Sequence, residues 1–199
     1  DQNLCGITLW YLNTDIIKDL GVNSYNLDKR RVKEESWSGQ STFSVNGMNP
    51  IVSDWRKNQL PSGYFNFNSK LSKVDDFSIK VKHNAYERLV ENVKSERQIT
   101  MIDDKNFEVN DRLNSKNKIT YKCIFHFGGE ILEIENNNSV IFQSSSSEIF
   151  WKFIWDNRLI FTERKSNYSD DYCNSKKCVS LEFEIYEKNI NLTYGIQIL

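Results

Sequence analysis

Four stretches of this chain alternate apolar and polar residues with a period of two, and that pattern restricts the fold more than any other feature. Phe77, Ile79 and Val81 alternate with Ser78, Lys80 and Lys82. Tyr121, Cys123, Phe125 and Phe127 repeat the pattern and run into Gly128-Gly129, a turn or bulge signal. Leu181, Phe183 and Ile185 alternate with Glu182 and Glu184, and Ile190, Leu192, Tyr194, Ile196 and Ile198 with Asn191, Thr193, Gly195 and Gln197. Successive side chains of a strand point to opposite faces, so each stretch reads as a half-buried strand. A fifth segment, Ile149 to Trp155, sets Trp151, Phe153 and Trp155 on one side and Phe150, Lys152 and Ile154 on the other, as a core strand would. Val140 to Phe142 is a further short strand, and Leu159 to Thr162 pairs with the 149–155 strand across Asp156-Asn157-Arg158 as a hairpin. Short strands separated by turn residues predict an all-β, antiparallel sandwich of jelly-roll type.

Composition agrees. Aromatics reach 13%, favouring pleated surfaces, and alanine, the best helix former, occurs only as Ala85. At 199 residues the chain fits a single domain with a substantial core. Residues 1–63 read as its irregular, loop-rich part. There Ile7 to Leu12 is a strand, and Asn13 to Leu20 two helical turns stopped by Gly21. Residues 22–63 are long loops with short strands, and Phe65-Asn66-Phe67 opens the regular sheet. Ala85 to Lys94 fits either a short helix capped by Asn84 or a strand and loop.

Charge argues against a nucleic-acid partner. The net charge is −1, and the nearest basic clusters, Lys29-Arg30-Arg31 and Lys176-Lys177, are short with acids beside them. No stretch approaches the roughly 20 apolar residues of a membrane helix. The chain starts at Asp1, as either a processed terminus or a trimmed one.

Four cysteines suit an oxidising compartment, and so a secreted or cell-surface protein. Cys173 and Cys178 flank Asn-Ser-Lys-Lys, across which a hairpin would bring the thiols together. Of three connectivities we expect Cys173–Cys178 with Cys5–Cys123; four free buried thiols are the alternative. Zinc is disfavoured by the spacing and by the distance of His83 and His126. Sequons at Asn137, Asn167 and Asn191 are glycosylation candidates. With 23 Asn and 28 Ser plus Thr, however, about three arise by chance.

No cofactor motif is present: there is no Gly-x-Gly-x-x-Gly, phosphate loop or Gly-x-Ser-x-Gly elbow. Neither histidine has a nucleophile at a telling spacing. Asp75-Asp76, Asp103-Asp104 and Asp170-Asp171 could serve a carboxylate glycosidase. Asp170 and Asp171 are also the best calcium candidates, though solvated loop acids explain all three pairs. The remaining candidates are Trp37, Trp55 and Tyr64, aromatics in polar sequence of the kind that builds sugar- and protein-binding surfaces.

From Tyr64 onward the chain resembles the farnesoic-acid-O-methyltransferase-like domain of secreted and cell-surface animal proteins. The resemblance lies in Phe77-Ser-Ile-Lys-Val-Lys-His-Asn-Ala, Gly128-Gly129, the run Phe150 to Ile160 with its Trp155-Asp156-Asn157, Leu181-Glu182-Phe183 and Tyr194-Gly195-Ile196. It implies a β-sandwich used for binding; methyl transfer does not carry over, because no glycine-rich loop for the methyl donor is present. The expectation is a non-catalytic recognition module for a glycan or protein at a cell surface. A structural coat or envelope domain and a carboxylate glycosidase are the alternatives.

Overall fold

The computed structural model describes residues 4–23, 29–50, 68–171 and 173–199. Two antiparallel sheets face each other. The smaller contains β1 (Leu9–Tyr11), β2 (Thr14–Lys18), β3 (Phe43–Val45), β8 (Ile119–Phe127), β12 (Ile160–Asp171) and β13 (Asn174–Glu187). Its order is β1-β2-β8-β13-β12, with β3 also pairing with β8. The larger contains β4 (Ser69–Asp75), β5 (Ser78–His83), β6 (Lys94–Met101), β7 (Asn106–Asn114), β9 (Gly129–Glu135), β10 (Ser139–Ser144), β11 (Phe150–Trp155) and β14 (Ile190–Ile198), in the order β4-β5-β6-β7-β14-β11-β10-β9. A seven-residue helix, α1 (Lys29–Glu35), and a 3-10 turn (Trp37–Gly39) complete the described elements. The expected all-β sandwich with a short helix is therefore what the chain forms.

The period-two pattern works most clearly in β14. Ile190, Leu192, Tyr194, Ile196 and Ile198 are all buried while Asn191, Thr193 and Gln197 face solvent. From β8, Tyr121, Cys123, Phe125 and Phe127 are wholly buried. The two inner faces interlock through rings: Phe125 meets Tyr194 at 4.9 Å and Phe153 at 5.1 Å between centroids, and Phe127 stacks on Phe142 at 4.4 Å. Such contacts favour tilted and offset geometries over flat sandwiches. Gly129 is demanded by space, since a Cβ there would lie 2.5 Å from the Trp151 ring and 2.3 Å from the Gln143 carbonyl oxygen. At Gly128-Gly129 the chain leaves the smaller sheet and enters the larger.

One polar cluster crosses this apolar core. Arg97 on β6, fully buried, donates from Nε and Nη2 to the two carboxylate oxygens of Asp111 on β7, both at 2.6 Å. Its Nη1 reaches the carbonyls of Cys5 (2.7 Å) and Ser41 (3.2 Å). Asp111 also accepts from the Tyr121 hydroxyl, which lies 3.1 Å from the Tyr194 hydroxyl. Burial opposes the charge on Arg97, but the Asp111 carboxylate outweighs it and holds the guanidinium protonated. The cluster ties the segments at Cys5 and Ser41 to the larger sheet.

Several local expectations change. The segment Asn13 to Leu20 is not helical: Leu12 and Asn13 take left-handed φ of 45° and 62° and form the turn of the β1–β2 hairpin. Helix α1 falls where loops were expected. It is too short to show a period and is held by the i,i+4 pairs Arg30–Glu34 and Arg31–Glu35. Asp156 does close a turn, accepting from the Arg158 N–H at 3.0 Å, but β11 and β12 do not pair. The chain there crosses between sheets, and β12 pairs with β13 instead. Residues 85–93 form turns, with Tyr86 and Val93 buried and Val90 exposed.

All four cysteines are free thiols, and neither expected bridge is formed. The reason at Cys173 and Cys178 is register. Asp171 pairs with Asn174, which puts Cys173 at the hairpin tip, while Cys178 lies along β13 opposite Ser166. Cys173 is thus exposed at the tip and Cys178 buried beneath Leu20 and Tyr168. Cys5 and Cys123 both lie against Arg97: its Nη1 bonds the Cys5 carbonyl, and its Nη2 sits 3.3 Å from the Cys123 sulfur.

Candidate functional site

A cleft opens at one end of the larger sheet, where β5 turns into the 85–93 segment. It holds about 510 Å³ and is lined by Asn68, Lys70, Lys82, His83, Asn84, Glu87, Lys94, Ser95, Glu96, Arg112 and Asn114. Strand register explains the cluster. Lys70 on β4 lies opposite Lys82 on β5, Lys82 opposite Glu96 on β6, Glu96 opposite Arg112 on β7, and Arg112 opposite Asn191 on β14. These residues occupy one row across five strands on the sheet's outer face. Lys94 faces Asn114 in the next row.

The row is electrostatically uneven. Glu96 is held at 3.0 Å by both Lys80 and Lys82. Burial works against its charge, but the Lys82 and Lys80 ammonium groups prevail and keep its carboxyl below the usual range. Lys70 and Lys94, both exposed, make no ion pair with any described residue. Among the described residues Arg112 donates only to the Asn191 side-chain oxygen, at 3.3 Å. Three cations therefore face the cleft without an acidic partner among the described residues, with Glu87 also on its wall. Asn68 and Asn84 close its rim, with the Asn68 N–H donating to the Asn84 side chain at 2.6 Å.

His83 forms part of the floor. It is 5% exposed and lies between Phe43 and Tyr86, at 6.0 and 5.5 Å between ring centroids. Its Nδ1 accepts from the Ala85 N–H at 3.3 Å, which places the proton of the neutral ring on Nε2. Burial, with Arg97 and Arg88 behind it, pushes its pKa down to about 4. At neutral pH His83 is an uncharged prop for the cationic rim. Arg88 pins the 85–93 segment by donating to the Pro50 carbonyl at 2.9 Å and the Asn49 carbonyl at 2.5 Å.

The cleft is polar and cation-rimmed, with amides and a hydroxyl at hydrogen-bonding depth. Such a surface matches a ligand that carries both negative groups and hydroxyls.

The residues singled out by sequence lie elsewhere. Trp37 is half-buried in the 3-10 turn, its backbone N–H donating to Asn49, and does not line the cleft. Trp55 and Tyr64 lie outside the described residues. Asp170 and Asp171 end β12, and their side chains also lie outside the described set. Among the described residues no group of three or more His, Cys, Asp and Glu could hold a metal. Asp75 and Asp103 cap turns, accepting at 2.8 Å from the N–H of Phe77 and of Lys105, rather than facing a second carboxylate across a cleft. His126 is fully buried, 2.6 Å from the Ser180 hydroxyl. Asn137, Asn167 and Asn191 are exposed, and Asn191 is already bonded to Asn110 and Arg112. Sequence reasoning missed the cleft because its cations are scattered over residues 70–112. The strand alternation of Lys80 and Lys82 was the one available signal.

Comparison with known proteins corrects the resemblance drawn from sequence. A family model described as Heparinase II/III-like, C-terminal matches residues 4–189. The farnesoic-acid-O-methyltransferase-like assignment does not hold. Its most specific segment, Phe150 to Ile160, is a core strand followed by an Asp-capped turn. Unrelated sandwiches share that local chemistry. No curated protein matches the sequence. Among solved structures, a heparinase III gene product superposes with a TM-score of 0.74 at 14% identity, over 96% of this chain and 29% of that one. Heparan sulfate lyase HepC from Pedobacter heparinus gives 0.69 at 15% identity, over 97% of this chain and 30% of that one. At such identities the likeness is one of fold, and this chain spans under a third of the length of either protein.

Proposed function

The chain belongs to the heparinase II/III-like C-terminal family, and on that premise we propose that it binds an anionic polysaccharide of the heparan sulfate kind through the cation-rimmed cleft, without chemistry of its own. The observation that carries this reading is the cross-strand row Lys70, Lys82, Arg112 with Lys94 beside it, in which Lys70 and Lys94 have no acidic partner among the described residues. Strands lie about 4.8 Å apart, so Lys82 and Arg112, two strands apart, are separated by about 10 Å along the row. A polysaccharide chain laid across the strands would meet cations at two points along the cleft, and Asn68, Asn84 and Asn114 offer amides to its hydroxyls. The relatives of known structure include one named for heparan sulfate cleavage, which supports the ligand class. An extracellular setting accords with that ligand and stands as part of the proposal.

Calorimetric titration with a heparan sulfate hexasaccharide tests the reading. The double variant Lys70→Ala/Lys94→Ala should bind about tenfold more weakly, each exposed charge contributing up to about 1 kcal/mol. The affinity of the unaltered protein should fall as salt is raised. An unchanged affinity in the double variant overturns the proposal.

A further inference from the structure

Two basic clusters separated by about 145 positions in sequence meet in the fold. Helix α1 carries Lys29, Arg30, Arg31 and Lys33, and the β12–β13 tip carries Lys176 and Lys177. Arg30 joins them, with Nη2 donating to the Ser169 hydroxyl at 3.0 Å and to the Ser175 hydroxyl at 3.2 Å. Glu34 is 3% exposed and anchors the helix by accepting from Arg30 Nε at 2.7 Å and from the Asn23 N–H at 3.1 Å. Lys18 lies 3.2 Å above the Tyr168 ring, and Lys176 approaches the same ring at 5.8 Å. The helix covers the outer face of the smaller sheet, where Cys178 and His126 both feel Lys33. The cleft opens on the outer face of the larger sheet, on the opposite side of the sandwich.

Within segments 29–35 and 170–177 there are six Lys and Arg against Glu34, Glu35, Asp170 and Asp171. Glu34 and Glu35 are consumed by Arg30 and Arg31. Lys29, Lys33 and Lys176 are exposed. Asn174, Ser175 and Asn23 add amides and a hydroxyl around them.

We propose that the face built by α1 and the β12–β13 tip is a second contact surface for an anionic polysaccharide, separate from the cleft. This rests on the reading of the cleft only for the class of ligand. A sulfated or carboxylated sugar chain fits better than a nucleic acid, because no aromatic side chain described on this face is exposed for base stacking: Tyr168 is buried beneath the lysines. Two separate surfaces would let one protein engage a long polymer at two points, or bridge two polymers, with a gain in avidity that short fragments do not show.

Lysine footprinting tests the proposal residue by residue. The protein is acetylated with and without full-length heparin, and the extent at each lysine is read by mass spectrometry. Lys29, Lys33 and Lys176 should be shielded severalfold, independently of Lys70 and Lys94 in the cleft. The variant Lys29→Ala/Lys33→Ala/Lys176→Ala should bind full-length heparin about tenfold more weakly while binding a hexasaccharide in the cleft as before. Unshielded Lys29, Lys33 and Lys176 overturn the second surface and leave the cleft standing. Shielding there without shielding at Lys70 and Lys94 overturns the cleft and leaves this surface standing. Equal shielding by single-stranded DNA of matched charge would reduce the face to a general polyanion patch and also overturn the proposal.

Discussion

Replacing Asp111 by Asn should cost the fold about 3–5 kcal/mol, the expected penalty for leaving a buried charge without its partner. Arg97 and Asp111 are each 0% exposed, and two 2.6 Å bonds join them. In the Asn variant Arg97 keeps its charge, because a guanidinium does not deprotonate in proteins and the carbonyls of Cys5 and Ser41 still accept from it. One of its two paired bonds loses its acceptor, and the second loses its charge assistance. With a urea m-value of about 2 kcal/mol/M for a chain of this size, the midpoint should fall by about 2 M. The companion experiment is the pair Arg97→Met and Asp111→Leu, made singly and together. Each single variant should be strongly destabilised and the double much less so than their sum, because an apolar pair leaves no orphan charge. Equilibrium urea unfolding followed by tryptophan fluorescence measures all four. A loss under 1 kcal/mol for Asp111→Asn, or strict additivity in the cycle, refutes the claim that this pair is a buried, coupled ion pair.

Acid should weaken the fold through its two histidines. Burial lowers His83 to about 4 and His126 to about 3, against about 6.5 when unfolded, so their contribution is complete above pH 6.5 and is lost as pH falls below it. At pH 5 each should have cost about 2 kcal/mol, and His126→Gln should flatten the urea midpoint between pH 7 and 5; an equally steep variant would count against burial as the cause. Gly129→Ala should destabilise by about 1–3 kcal/mol through contact with Trp151 and the Gln143 carbonyl, read as a lowered thermal midpoint, whereas Gly195→Ala meets only Ile154, 3.7 Å away, and should cost less. In the native protein iodoacetamide should label Cys173 alone, because burial pushes Cys5 to about 12 and Cys123 and Cys178 to about 11. Labelling of two or more sites in intact-mass spectra would contradict that arrangement.

Much of the larger sheet was legible beforehand because β11 and β14 each bury one clean face. The β5 strand was legible as a strand, but its apolar side was not core throughout: Ile79 is 43% exposed, near the β4 edge where the opposing sheet no longer covers it. The β1–β2 hairpin and α1 were illegible for the opposite reason. Asn13 and Leu12 turn the chain by adopting left-handed conformations that composition does not announce, and α1 is stabilised by Arg30 reaching hydroxyls 139 and 145 residues away. The candidate cleft was not legible at all. A lysine in an alternating strand reads only as the solvent side of that strand, and nothing local says which other lysines share its row.

The sequence alone determined the class of architecture, because a period-two pattern leaves one face of each segment to be buried and two such sheets bury each other. Which sheet each strand joined was decided only in three dimensions: β11 and β12 are neighbours in sequence separated by an Asp-capped turn, yet they lie in different sheets. Tertiary register likewise set Cys173 and Cys178 apart and brought Lys70, Lys82 and Arg112 into one row. Cross-strand neighbours are fixed by pairing partners far along the chain, and local spacing does not encode them.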